Sequence, residues 1–63
     1  MSNSILTKLS AEIKRLRNKR GLSQAGLSKL SGVQQATISL IERSMGNPTV
    51  ETIDRLLNTL RKK

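Results

Sequence analysis

An all-α fold, a compact bundle of four or at most five short helices, is what this sequence predicts, and three observations predict it. Its apolar residues recur at spacings of three and four, the period of a helix face. Breaks at Gly21, Gly32 and Gly46-Asn47-Pro48 cut the chain into short elements. The β-branched residues follow helical spacing and never alternate, so no strand is expected. Sixty-three residues leave room for a single domain over 1–63, and without a cysteine to staple it, stability must come from helix packing or oligomerisation.

The first helix is expected from Thr7 to Arg20, where Leu9, Ile13 and Leu16 form one stripe while Lys14, Arg15 and Lys19 point elsewhere. Its last turn carries Arg17, Lys19 and Arg20 at the negative end of the helix dipole, and Gly21 supplies a stop. Ser23 reads as the N-cap of a second helix running to about Leu30, with Leu27 and Leu30 facing inward. Gly26 is its weak point, since a glycine inside a helix costs roughly 1 kcal/mol against alanine. Ser31-Gly32 breaks that helix, and Gly32 suits a left-handed turn. The third helix runs from Gln34 to about Arg43. Ile38 and Ile41 share one face with Val33 leading in, while Gln35, Ala36 and Ser39 occupy a polar, small-residue face. Residues Ser44 to Pro48 form the long loop. In the fourth helix Thr49 is the cap, Glu51 and Asp54 lie near the positive end, and Val50, Ile53, Leu56, Leu57 and Leu60 make the apolar face. Arg61, Lys62 and Lys63 form a basic tail.

Composition narrows the function. The net charge of +8 favours a polyanionic partner, because each cation set against a phosphate can release a condensed counterion. The chain has no histidine, no cysteine and only four carboxylates (Glu12, Glu42, Glu51, Asp54), which removes most acid/base and metal-ligand chemistry. Neither an enzyme, nor a metal site, nor a cofactor is expected. Aromatic residues are absent too, and modules that bind single strands or RNA loops stack bases on aromatic rings, so duplex DNA read through a groove fits better. No apolar run approaches the roughly 20 residues of a membrane span. Met1-Ser2-Asn3-Ser4 lacks the basic start of a signal peptide, so a cytoplasmic protein, bacterial or phage-encoded and nucleoid-associated, is expected.

A short helix, a glycine-containing turn and a second short helix, spanning about 23–43 of a basic all-α chain, form a helix-turn-helix layout whose second helix enters the major groove. The strings Leu22-Ser-Gln-Ala-Gly-Leu27 and Gly32-Val-Gln-Gln-Ala-Thr-Ile-Ser39, then Ile41-Glu42-Arg43 and Gly46-Asn47-Pro48-Thr49, closely resemble the lambda-repressor-like (Xre) family. The resemblance covers roughly Glu12 to Leu60, gap lengths included.

The resemblance implies that Gln24 anchors a phosphate and braces a recognition-helix side chain. It also implies that Gln34, Gln35, Ala36 and Ser39 face base edges and that Thr37 and Arg43 lie near phosphates. Glutamine can pair bidentately with adenine, and alanine can contact a thymine methyl, so an A·T-containing half-site is expected. Taken alone, Gln34-Gln35 would be an ordinary solvated helix start; inside this motif it is a reading site. Ser23 is first a cap, although a helix N-terminus can also hold a phosphate, and Arg17 and Arg20 are further phosphate candidates. The family also implies an ion pair between Arg17 and Glu42, fixing the recognition helix against the first helix. Most of Lys8, Lys14, Arg15, Lys19 and Lys29 are expected to be solubilising surface.

Two residues depart from the family pattern: Ser28 replaces the usual alanine and Gly26 a usual helix former, and both are expected to weaken the second helix. The sequence ends before the dimerising element that commonly follows in the family, so either Leu57, Leu60 and the tail make a small interface, or dimerisation occurs mainly on DNA, or this is a domain cut from a longer protein; a homodimer is expected at least on DNA. An autoregulatory repressor of a double-stranded operator is the leading reading. The string Gln35-Ala-Thr-Ile-Ser39 with Ile41-Glu42 also resembles antitoxins of the HipB type, which makes a protein toxin an alternative partner. A module that binds only proteins is a further reading. A membrane-surface peptide fits poorly, because the glycine breaks make short elements useful only when packed together.

Overall fold

The first helix, α1, spans Ser4–Lys19 in the computed structural model, which describes residues 4–61; Met1 to Asn3 and the basic tail residues Lys62 and Lys63 lie outside the described residues. It begins about a turn earlier than its apolar stripe requires. Gly21 ends it at φ 69°, with Gly21 N–H donating to the Asn18 carbonyl and Leu22 N–H to that of Arg17, both at 3.0 Å. Those bonds satisfy carbonyls that the helix itself leaves open.

The second helix, α2, covers Gln24–Ser31, and the Ser23 hydroxyl accepts from Gly26 N–H at 2.9 Å as its N-cap. Gly26 stands against that cap: a Cβ there would meet Ser23 Oγ at 3.3 Å and Leu22 Cδ2 at 3.5 Å. The third helix, α3, covers Gln35–Glu42, and the fourth, α4, Val50–Arg61. Thr49 caps α4, its Oγ1 accepting from Thr52 N–H at 3.1 Å. These four helices are the regular elements among the described residues.

The turn between α2 and α3 is tied by its serines. Gly32, at φ 78°, donates to the Ser28 carbonyl at 2.9 Å. Ser28 Oγ donates to the Val33 carbonyl at 2.6 Å, and Val33 N–H donates to Ser31 Oγ at 3.1 Å. Ser28 therefore does more than weaken α2. Its hydroxyl crosses the turn and fixes where α3 starts, which offsets its poorer helix propensity.

Helix α1 packs on α3 and α4, and α2 packs on the same two helices. Ile13, Leu27, Val33, Ile38, Ile41, Ile53, Leu56 and Leu60 form the core, with Leu9, Leu16, Leu22 and Leu57 packed against it. Two expectations fail. Leu30, expected to face inward, is 60% exposed. The inner line of α2 runs from Leu27 to Ser31, four residues on, so the buried position goes to a serine and Leu30 falls off the edge. Val50, expected on the apolar face of α4, is 86% exposed, because burial along that helix begins one turn later at Ile53. Among the described residues no helix is long and apolar enough to cross a membrane.

Candidate nucleic-acid interface

Helix α3 has one buried and one open face. Ile38 and Ile41 are inside, which turns Gln35, Ala36 and Arg43 outward into solvent and leaves Ser39 and Thr37 half-buried at the edges of the open face. Gln34 occupies the N-cap position, yet its side chain makes no capping bond and remains exposed. Side-chain partners for Gln34, Gln35 or Arg43 are absent among the described residues. The four base-reading candidates Gln34, Gln35, Ala36 and Ser39 and the two phosphate candidates Thr37 and Arg43 thus lie together on one short helix and its caps. The arrangement can pair with the edges of bases.

The far end of α3 is clamped. Glu42 Oε2 accepts from Arg17 Nε at 2.6 Å, and Oε1 accepts from Arg17 Nη2 at 2.9 Å and from Gln24 Nε2 at 3.2 Å. Arg17 Nη1 donates to the Leu22 carbonyl at 2.8 Å. The side chains are nearly enclosed, Arg17 at 12% and Glu42 at 3% exposure, so the charge-assisted bonds are little screened by water. The hydrogen bond to Glu42 raises the Arg17 pKa above its ordinary value, against the opposing effect of burial and with the help of the nearby negative charge. One carboxylate therefore joins α1, the start of α2 and the end of α3.

The clamp changes two expectations. Arg17 is a candidate both for half of an ion pair and for a phosphate anchor, but three of its N–H groups are engaged inside the protein. Its geometry is that of a brace, with little left for a phosphate. Arg20, a further phosphate candidate, remains exposed but also bonds within the protein. Its Nη1 donates to the carbonyls of Thr59 and Leu60 at 2.9 and 3.1 Å, which satisfies open groups at the end of α4. Gln24 half-faces solvent at the start of α2 while holding Glu42, and Ser23 beside it is exposed although its oxygen is occupied as a cap.

Sequence reasoning missed Leu40, an exposed leucine on the open side of α3, whereas the bond from Gln24 to Glu42 is the brace on a recognition-helix side chain that the resemblance implied. The spacing could have found that leucine, since residue 40 lies one turn beyond Ala36. A recess beside Thr37 is lined by Gly32, Gln34, Glu51, Thr52 and Arg55. Elsewhere Ile5, Leu6, Leu9, Pro48, Val50 and Ile53 line an apolar groove between the starts of α1 and α4. The described residues hold no cluster of His, Cys, Asp or Glu suited to a metal ion.

Comparison with known proteins places these features. A family model described as Helix-turn-helix matches residues 13–63. The chain is similar to the antitoxin HipB of Escherichia coli, 37% identical over 54 residues, covering 86% of this chain and 61% of that protein. It is similar to the HTH-type transcriptional regulator SutR of the same organism, 38% identical over 52 residues, covering 82% of this chain and 29% of the relative. An uncharacterized HTH-type transcriptional regulator of Haemophilus influenzae is 46% identical over 46 residues, covering 73% of this chain and 47% of its own length. The chain thus spans from under a third to about three fifths of these relatives. No solved structure matches.

Proposed function

The chain belongs to the helix-turn-helix family, in its lambda-repressor-like (Xre) branch, and on that premise we propose that it is a DNA-binding transcriptional regulator, an autoregulatory repressor that reads the major groove with α3. The observation that carries this reading is the open face of α3, bearing Gln34, Gln35, Ala36 and Ser39, on a helix whose end is held by the Arg17–Glu42–Gln24 network. A reader must arrive in one orientation, and the network supplies it. Gln35 reads adenine, Ala36 meets a thymine methyl, and Arg43, Thr37, Ser23 and Gln24 hold the flanking phosphates. The chain acts by binding; no step of catalysis enters.

Selection of bound sequences from a random duplex pool tests the proposal. A homodimer on DNA should enrich a near-palindrome with A·T-containing half-sites about one helical turn apart. Failure to bind any duplex at low ionic strength would overturn it.

The apolar groove supports a second reading, that of an antitoxin, because Ile5 and Val50 are both left largely exposed there and the similar protein HipB is an antitoxin. In that case a toxin protein encoded by a neighbouring gene would co-elute with this chain. Substitutions of Ile5 or Val50 by Ser would break that complex and spare DNA binding.

A further inference from the structure

Helices α1 and α4 run side by side in one direction. At their starts Ile5 and Leu9 share a groove with Val50, and at their ends Arg20 donates to the carbonyls of Thr59 and Leu60. Positions along the two helices therefore correspond, with Ile5 level with Val50. Both residues stand out of the fold, Ile5 at 71% and Val50 at 86% exposure. Half-buried Leu6, Leu9 and Pro48 lie between them, so the apolar surface is continuous.

One turn further on, the two helices carry opposite charges. Lys8 lies three residues after Ile5, and Asp54 four residues after Val50, so each stands beside the exposed apolar residue of its own helix. Both are exposed. Asp54 accepts from Asn58 at 3.1 Å, and neither residue makes an ion pair among the described residues. With Glu51, Asp54 gives the first turns of α4 half of the chain's four carboxylates, an acidic spot on a molecule of net charge +8.

This surface is complementary to itself. A two-fold rotation about an axis along the groove keeps the direction of the helices and exchanges their sides, so α1 of one copy faces α4 of the other at the same level. We infer that the groove between the starts of α1 and α4 is an interface whose occupant is a second copy of this chain, with Ile5 against Val50 of the second copy and Lys8 against its Asp54. By symmetry each contact is made twice. The contact covers the two exposed aliphatic residues of each copy, and it joins two basic molecules where their charges are mixed. Pro48, in the groove wall, belongs to the loop that leaves α3, so this dimer also fixes how far apart two α3 helices stand. The interface needs no DNA; only its bearing on paired half-sites rests on the DNA-reading function proposed above.

Sedimentation equilibrium of the full chain without DNA tests the inference. The unaltered chain should pass from monomer to dimer as concentration rises. Val50→Asp should abolish the dimer, and circular dichroism should show the fold intact, since residue 50 is exposed in the single copy. Lys8→Asp and Asp54→Lys should each raise the dissociation constant about tenfold, because each sets like charges together twice. The two changes combined should return it to within about threefold of the original, which neither a folding defect nor a different protein on this groove would produce. A chain that stays monomeric up to about 1 mM overturns the inference and leaves the groove to another protein, such as the toxin of the second reading. A dimer that survives Val50→Asp, or a double variant as weak as the single ones, overturns it equally. On a palindrome obtained by selection, Val50→Asp should fill the two half-sites independently. If no duplex is bound while the dimer and its rescue stand, the DNA reading fails and this inference holds.

Discussion

Glu42 accepts three side-chain hydrogen bonds in a nearly closed site, and its loss should be felt in the fold as well as in binding. Replacing it by Gln removes the charge that Arg17 faces while keeping the shape. We expect a stability loss of about 2 kcal/mol, read as a melting temperature lower by roughly 8–16 °C. Unchanged melting and DNA affinity would deny the clamp its role. The sign of the Arg17 shift matters for pH: a raised folded pKa contributes stability that is present below the unfolded value and lost as pH rises through the folded one. Arginine titrates far above neutral pH and this shift moves it further up, so no loss from the arginine is expected near neutral pH. The exposed Glu12–Arg15 pair on α1 adds little, although its hydrogen bond lowers the Glu12 pKa. Ser10 offers the opposite case. It is buried, and its hydroxyl finds no partner among the described residues. Ser10→Ala removes an unpaired polar group and adds helix propensity, so thermal unfolding should show a gain of about 1 kcal/mol. At this scale the pairing of Arg17 with Glu42 was legible through the family motif, whereas the orphan hydroxyl was not, because a lone serine in a helix carries no sign of its surroundings.

The turns flanking α3 both use left-handed backbone, Gly32 before it and Ser44 with Gly46 after it, and these residues differ in how well they suit it. Gly32 sits at φ 78° without steric cost. Gly32→Ala should cost about 1–2 kcal/mol in denaturant unfolding and misplace the start of α3. At the other end Ser44 adopts φ 57°, where a glycine is usual. Met45 N–H and Ser44 N–H still close the helix on Leu40 and Ile41 at 2.8 and 2.9 Å, so the turn forms at a strain. Ser44→Gly should relieve it and stabilise by up to about 1 kcal/mol, which chemical denaturation can resolve. The glycine turns and the caps at Ser23 and Thr49 were readable, since such signals act within a few residues. The strained Ser44 was not, because the sequence shows only a loop there and places its glycine two residues later.

On the DNA-reading function proposed above, the net charge of +8 supplies a sequence-independent attraction across the whole molecule, on which the α3 side chains impose preference. Two substitutions should separate these contributions. Gln35→Ala is expected to relax specificity at one base pair, lowering discrimination there by about 1–3 kcal/mol in a binding titration against single-base variants. Arg43→Ala should weaken all duplexes about equally and reduce the slope of log affinity against log salt by about 1. If both changes act alike on selected and random DNA, the division into readers and anchors is wrong. Arg20 belongs to this scale as well, since it ties the end of α1 to the end of α4 across 39 and 40 positions of chain. Sequence distance hid that staple.

The sequence alone determined four helices, their approximate limits, the capping and turn residues, most of the core and the basic, aromatic-free character that points to duplex DNA. These follow from periodicity, local backbone preference and charge, which act within a helical turn or over the whole composition. Only the packed structure decided that Leu30 and Val50 are exposed, that Ser28 bridges a turn, that Arg17 and Arg20 bond within the protein and that Leu40 stands open beside Ala36. The reason is physical: a helical pattern defines a face, but its burial depends on where the neighbouring helices lie and end, and a long polar side chain bonds to whatever that packing brings within reach.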